Sequence, residues 1–527
     1  MQPFRRGTVH HARLTVRGSL AVLAATAALI APTLLTPPAS AADAPATAYR
    51  NTLNNSGGPK PMPTNAPEGA AERPVTMDVG ISSEDLERVR NGQRPKGTLA
   101  TQPLRTLGET VPAETFTEAA AAARAQLRMR YEARAADDVP PSSRPPAEIK
   151  DTPNAELLKE CFDGKADSDY GNYVNRYTYC QSRKMTIRFF EISPNKPPKY
   201  HATTRFVYEL FAQGDNKNRH IRVFGRMKPG SADYDWPWYD DLLQTPKIIK
   251  MTMTGECDAP ERECSGLSGS PSLPFGSWNS NRTWFAFDIA DSSGSAGTAQ
   301  GRDKISFKRW YLGFSAKGEG YETMLPGRSS APLMRCDSGQ YFSPAQKNAC
   351  VFPGSLPILN YYATPGSPTE QVGKHIADAQ YTPDTTYPRT APAGTPNPRA
   401  KRIPGAYFNA PLHRITEADP EWKTNNAHKN AACKDRGDYK GMGLPTEKQP
   451  KSGQQCDEYP FRTTLEGAAS KDWDFSVRAV DRSDNASAGS RLKLYVLHER
   501  ILRWDAGLAD PQRSNDAYWV NIRYSTR

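Results

Sequence analysis

Oxygen-bearing side chains gather between positions 457 and 485. Asp457 and Glu458 are adjacent carboxylates, and Glu466 follows nine residues after the first and eight after the second. On a straight helix an eight-residue step keeps one face and a nine-residue step leaves it, so the spacing would align Glu466 with Glu458 rather than Asp457. Asp484 and Asn485 stand where a helical pattern begins. Carboxylate and amide oxygens are what Mg²⁺, Mn²⁺ or Ca²⁺ prefer, and a cation held by one or two protein groups keeps room for water and a phosphate. The same residues would equally make an acidic surface helix followed by an ordinary Asp/Asn cap.

Other polar groups lie nearby in sequence. Arg478, Arg482, Arg491 and Lys493 flank the Asp484-Asn485 pair, where they would grip a phosphate backbone in a salt-sensitive, sequence-independent way. His413 sits in Leu412-His413-Arg414-Ile415 as a candidate base or phosphate donor; His375, His428 and His498 read as structural. The chain has no Gly-x-Ser-x-Gly, no His-Glu-x-x-His, no phosphate-binding glycine loop and no dinucleotide fingerprint.

The elements that must position these groups read as α+β. Residues 351–359 suit a strand, and 369–380 put Val372, Ile376 and Ala379 on one helical face. A Pro/Thr-rich loop runs over 381–411 and looks like an insertion. The pattern then predicts a helix over 457–469, a strand over 475–480, a helix over 485–497, and closing strands over 501–504 and 517–522.

Upstream, six short strand-like runs recur at 184–191, 203–211, 219–227, 247–253, 283–289 and 304–314, separated by Gly, Asn and Pro turns. This predicts an antiparallel, sandwich-like β domain over 152–330. Trp236, Trp238, Tyr239, Trp278, Trp284 and Trp310 are candidates for its core or for a binding groove. Residues 42–151 are rich in Ala and Pro and read as a disordered segment with short helices at 83–90 and 114–136.

Residues 1–41 have the form of a signal peptide. Arg5, Arg6, Arg13 and Arg17 precede an apolar run of a length too short for a comfortable span, and Ala39-Ser40-Ala41 follows. The expectation is a secreted, extracellular chain with no membrane span after cleavage. Eight cysteines agree with an oxidising compartment. Short loops favour Cys161–Cys180, Cys257–Cys264, Cys336–Cys350 and Cys433–Cys456 among many possible pairings. The formal charge is +11, four of it in the leader, a mild basic bias that suits an anionic partner.

Cys456-Asp457-Glu458-Tyr459-Pro460-Phe461, Glu466-Gly467 and Ser483-Asp484-Asn485-x-x-Ala488-Gly489-Ser490, in that order, resemble the signature of the NucA/NucB family of secreted bacterial deoxyribonucleases. Cys336-Asp337, Cys350-Val351-Phe352-Pro353, His375-Ile376, Arg500-Ile501-Leu502 and Ala517-Tyr518-Trp519-Val520 extend the likeness over 331–527. The resemblance implies a ββα-metal nuclease domain. It implies catalytic roles for Asp457 and Glu458, with Glu466, Asn485 and Asp484 around a divalent cation, Mg²⁺ or Mn²⁺ or Ca²⁺. Arg462 stands where the family often has Ala, and Ala468 where it often has Gly. Arg462, Arg478, Arg491 and His413 are then candidate contacts to DNA phosphate. The expected activity is endonucleolytic hydrolysis of DNA with little sequence preference. A second reading is a secreted binding or adhesion protein that keeps a degenerate nuclease domain.

Overall fold

The computed structural model describes residues 75–97, 146–164, 166–167, 171–258, 264–265, 268–355, 357–406, 410–508 and 515–524. The leader at 1–41 and the helix expected at 114–136 lie outside them. The described strands used below are β1 (Val75–Ser82), β2 (Thr178–Ile192), β3 (Lys199–Gly214), β4 (His220–Met227), β5 (Lys250–Asp258), β6 (Phe285–Asp291), β7 (Ser306–Gly318), β8 (Tyr321–Leu325), β9 (Leu333–Asp337), β10 (Ala349–Val351), β11 (Ile358–Tyr362), β12 (Gln454–Tyr459), β13 (Ser476–Asp481) and β14 (Trp519–Arg523). The helices are α1 (Ser83–Arg90), α2 (Ala155–Asp163), α3 (Glu370–Tyr381), α4 (Pro420–Cys433) and α5 (Arg482–His498).

A large curled sheet runs in the order β10-β9-β7-β8-β1-β2-β3-β4-β6, with β5 paired to β7 beside this path. Alternation explains it. Met185, Ile187 and Phe189 of β2 are buried while the alternating Lys184, Thr186 and Arg188 are more exposed, the period of two that a half-buried strand requires. Trp310, Leu312, Phe314 and Ala316 of β7 repeat the pattern. The sheet curls until non-paired strands face each other: Tyr208 of β3 meets Phe314 of β7 at 5.4 Å, and Tyr179 meets Trp310 edge-on at 5.9 Å. All six expected strands are present with shifted ends.

Two features of this sheet differ from the sequence reading. First, β1 falls in the segment read as disordered. It lies between β8 and β2, parallel to β2 over Val75–Ser82, with Met77, Val79 and Ile81 fully buried. The sheet is therefore not antiparallel throughout. A run of eight residues gives too little pattern to stand out from its Pro-rich surroundings. Helix α1 follows as expected, capped by Ser82, whose side chain accepts from the Asp85 amide at 3.1 Å. Second, β9 and β10 belong to the large sheet rather than to the nuclease region, because β9 pairs with β7 through Ser306–Cys336 to Arg309–Leu333. Of the aromatics, Trp278 and Trp310 are core and Trp238 is exposed.

The C-terminal region holds a parallel pair, β11 with β14, and an antiparallel hairpin, β12 with β13, that leads directly into α5. Leu359, Tyr361, Val372, Ile376, Tyr459, Val480, Tyr495 and Val520 form their shared core. The expected helix over 457–469 is instead strand β12 and turns. Tertiary pairing of Gln454–Tyr459 with Ser476–Asp481 overrides the helical spacing of the carboxylates. The expected strand at 501–504 reduces to one bridge between Arg414 and Arg503. Helix α4, with Pro420 in its first turn, adds an element that the sequence reading lacks.

Buried ion pairs fasten the C-terminal region to the sheet. Asp516 receives Arg176 at 2.8 Å and also Arg335, while Asp337 of β9 receives Arg500 at 2.7 Å. All four expected disulfides are present, with Cα–Cα distances of 6.0, 6.6, 4.1 and 6.3 Å in chain order.

Candidate functional site

Successive side chains of a strand point to opposite faces, and β12 separates the two motif carboxylates in this way. Asp457 and Tyr459 are buried and share a face with Gln455. Cys456 and Glu458 share the other. The register places Asp457 opposite Arg478 and Tyr459 opposite Ser476.

On the first face, Asp457 Oδ2 is 2.6 Å from Nδ1 of His375, a fully buried side chain in the middle of α3. Nε2 of the same ring is 2.8 Å from the Ser476 hydroxyl. Burial pulls the proton affinity of His375 below its ordinary value, with the Asp457 charge opposing. The shift favours the neutral imidazole. A carboxylate only accepts, so Nδ1 carries the proton and donates, and Nε2 accepts from Ser476. His375 thus hydrogen-bonds the motif carboxylate Asp457 directly. Its pairing joins positions 82 residues apart and is invisible to local spacing.

The start of α5 supplies the next groups. Asp484 is buried and both its oxygens are engaged: Oδ2 accepts from the Gln371 amide at 2.9 Å and Oδ1 from the Val372 amide at 3.1 Å. It thus caps α3, whose own cap residue Thr369 makes no side-chain capping bond. Asn485 lies beside the hairpin, with Nδ2 donating to Gln455 Oε1 at 3.0 Å.

Glu466 goes elsewhere. It is buried, accepting from the His413 amide at 2.9 Å and pairing with His413 Nδ1 at 2.7 Å. His413 is itself buried and packs edge-on against Trp504 at 4.9 Å. The helical alignment expected for Glu458 and Glu466 has no counterpart here.

On the second face Glu458 meets α4. Lys429 Nζ lies 3.8 Å from its carboxylate, whose side chain is 16% exposed. Burial pushes the Glu458 carboxyl up to about 7, the Lys429 charge opposing. Asn425 of the same helix donates to the carbonyls of Arg462 and Thr464, both at 3.0 Å, and Cys433 bonds Cys456. Asn425, Lys429 and Cys433 recur every four residues, so one stripe of α4 faces the hairpin. That period is the available signal for this helix. Arg462 lies over Trp422 at 4.2 Å. Arg478 bonds Asp378 at 2.6 Å, and Arg491 bonds the Asn360 carbonyl at 3.2 Å and lies over Tyr362.

Among the described residues no three His, Cys, Asp or Glu side chains stand together as a metal cage. Of the three residues expected around a cation, Asp484 and Glu466 have both carboxylate oxygens engaged. Asn485, beside the Gln455 amide, offers a neutral hard oxygen of the kind Mg²⁺ or Mn²⁺ accepts alongside water and phosphate.

Comparison with known proteins bears on the same stretch. Residues 408–501 match the family model described as Deoxyribonuclease NucA/NucB. No curated protein and no solved structure matches the chain. The matched residues contain α4, the β12–β13 hairpin and all of α5, with both motif carboxylates and the Asp484-Asn485 pair. Within this C-terminal segment, residues 408–501 are thus similar to the deoxyribonuclease NucA/NucB family.

Proposed function

We propose that the chain is a secreted, divalent-metal-dependent endodeoxyribonuclease that hydrolyses DNA with little sequence preference. The observation that carries this reading is the ββα unit inside the matched segment. It puts Asp457 on the hairpin and Asn485 at the head of the following helix, with Gln455 between them on the Asp457 face.

In this reading Asp457 orients the attacking water and takes its proton, and Asn485 holds the cation. When bound, a hard cation supplies charge stabilisation at the scissile phosphate. Arg462 and Lys429 offer cations on the Glu458 face for the flanking phosphates. Contacts of that kind bind the backbone and carry no sequence information. The secreted location is supported by the four disulfides and by the basic-apolar leader in the sequence. No described helix is long and apolar enough to cross a membrane.

Supercoiled plasmid incubated with the full chain tests the proposal. Nicking is expected with Mg²⁺ or Mn²⁺, abolished by EDTA and by Asp457→Ala. A folded protein that leaves DNA intact with every cation would remove the hydrolase reading and favour a binding role.

A further inference from the structure

We propose that His375 is the positioning residue of this site: its ring, held between Asp457 and Ser476, fixes the Asp457 carboxylate so that one oxygen is bound and the other stays open to solvent. The proposal rests on the reading of Asp457 as the group that handles water.

The carboxylate divides its oxygens unequally. Oδ2 accepts from His375 Nδ1 at 2.6 Å, and Oδ1 has no hydrogen-bond partner among the described residues. The side chain nevertheless keeps 10% of its surface exposed. A carboxylate free to rotate would present either oxygen; one bound by a buried imidazole presents only Oδ1. The imidazole cannot turn, because its far nitrogen is engaged by Ser476 at 2.8 Å on the neighbouring strand. Ser476 opposes Tyr459 across the hairpin, so His375 spans both strands.

The helix that carries His375 is pinned near both ends. Asp484, from the first turn of α5, holds two amides at its start. Gln380 near its end donates to the Tyr459 hydroxyl at 2.8 Å and the Val520 carbonyl at 3.1 Å. The residue adjacent to the proposed metal-binding Asn485 thus sets the height of α3, and α3 sets the orientation of Asp457. This gives a buried carboxylate a role distinct from metal binding, and a buried histidine a role distinct from core packing.

Kinetics of the full chain with Mg²⁺ on a short DNA duplex, together with imidazole ¹⁵N shifts, test the proposal. The wild-type spectrum is expected to show His375 as the neutral Nδ1–H tautomer; an Nε2–H tautomer overturns the proposal whether or not the protein cleaves DNA. His375→Ala is expected to lower kcat about 100-fold, the order that a misplaced catalytic group costs, with KM within about twofold. His375→Asn, whose amide can donate where Nδ1 does, is expected to recover about tenfold of that loss. Equal kcat for the Asn and Ala variants, or wild-type kcat in folded His375→Ala, overturns it. If His375→Ala fails to fold, Ser476→Ala decides. It keeps the Asp457 bond and frees the ring, and an unchanged kcat there counts against the proposal. Full activity in Asp457→Ala would instead remove the underlying functional reading.

Discussion

Asp457 and Glu458 are neighbours in the chain that serve opposite faces of one hairpin, Asp457 bonded to His375 of α3 and Glu458 facing Lys429 of α4. They cannot act as a close carboxylate pair on one phosphate. Each face carries its own set of partners, and substitutions on the two should have separable effects.

Asp457→Asn removes the base and keeps the size of the side chain. It is expected to lower plasmid nicking by about 10²–10⁴-fold, the usual contribution of a general base, with Mn²⁺ affinity by calorimetry unchanged. A variant that nicks at the wild-type rate would dismiss Asp457 from the chemistry.

Asp484 and Asn485 are adjacent, yet the first holds α3 and the second offers its amide to the hairpin face. Asp484→Ala is expected to cost about 1–2 kcal/mol of stability, as loss of a helix cap does. Asn485→Ala is expected to leave the melting temperature within about 2 °C, since surface changes seldom exceed about 0.5 kcal/mol, and to raise the Mg²⁺ concentration needed for cleavage. Thermal melts and metal titrations of both variants check this, and a reversed pattern would exchange their roles.

Glu499 is buried, and burial pushes its carboxyl up to about 8 while Arg176 opposes. A group whose folded pKa is raised contributes stability that is fully present below its unfolded value near 4.5 and is lost as pH rises through about 8. Glu499→Gln stays neutral at every pH, so its melting temperature should gain on the wild type between pH 5 and pH 9. An identical pH dependence of both melting curves would contradict the assignment.

Asp516 is held well below the usual carboxylate range, its burial outweighed by the charges of Arg176 and Arg335. A depressed pKa contributes stability above the unfolded value, lost as pH falls through the acid range. Asp516→Ala would strand the buried guanidinium of Arg176 and leave Arg335 only Asp337 as an ion-pair partner, and is expected to cost about 3–5 kcal/mol, read by denaturant melts. For the same reason a fragment starting at 331 should fold poorly. It lacks Arg176 and the β7 edge on which β9 pairs. A stable, active 331–527 fragment would show that these contacts are dispensable.

The amino-acid sequence alone determined the oxidised pairing of its cysteines, the six strands upstream, and the motif that marks the nuclease segment. Each is written in short-range form: paired spacing, a period of two, or an ordered run of residue types. Only the tertiary structure decided that Asp457 and Glu458 part company, that Asp484 serves a different helix, that Glu466 is bound to His413, and that β1 enters the sheet. Those outcomes depend on partners tens to hundreds of residues away. A strand in place of a helix at 457–459 reverses which side chains share a face, and side-chain periodicity cannot reveal which strand will pair with it.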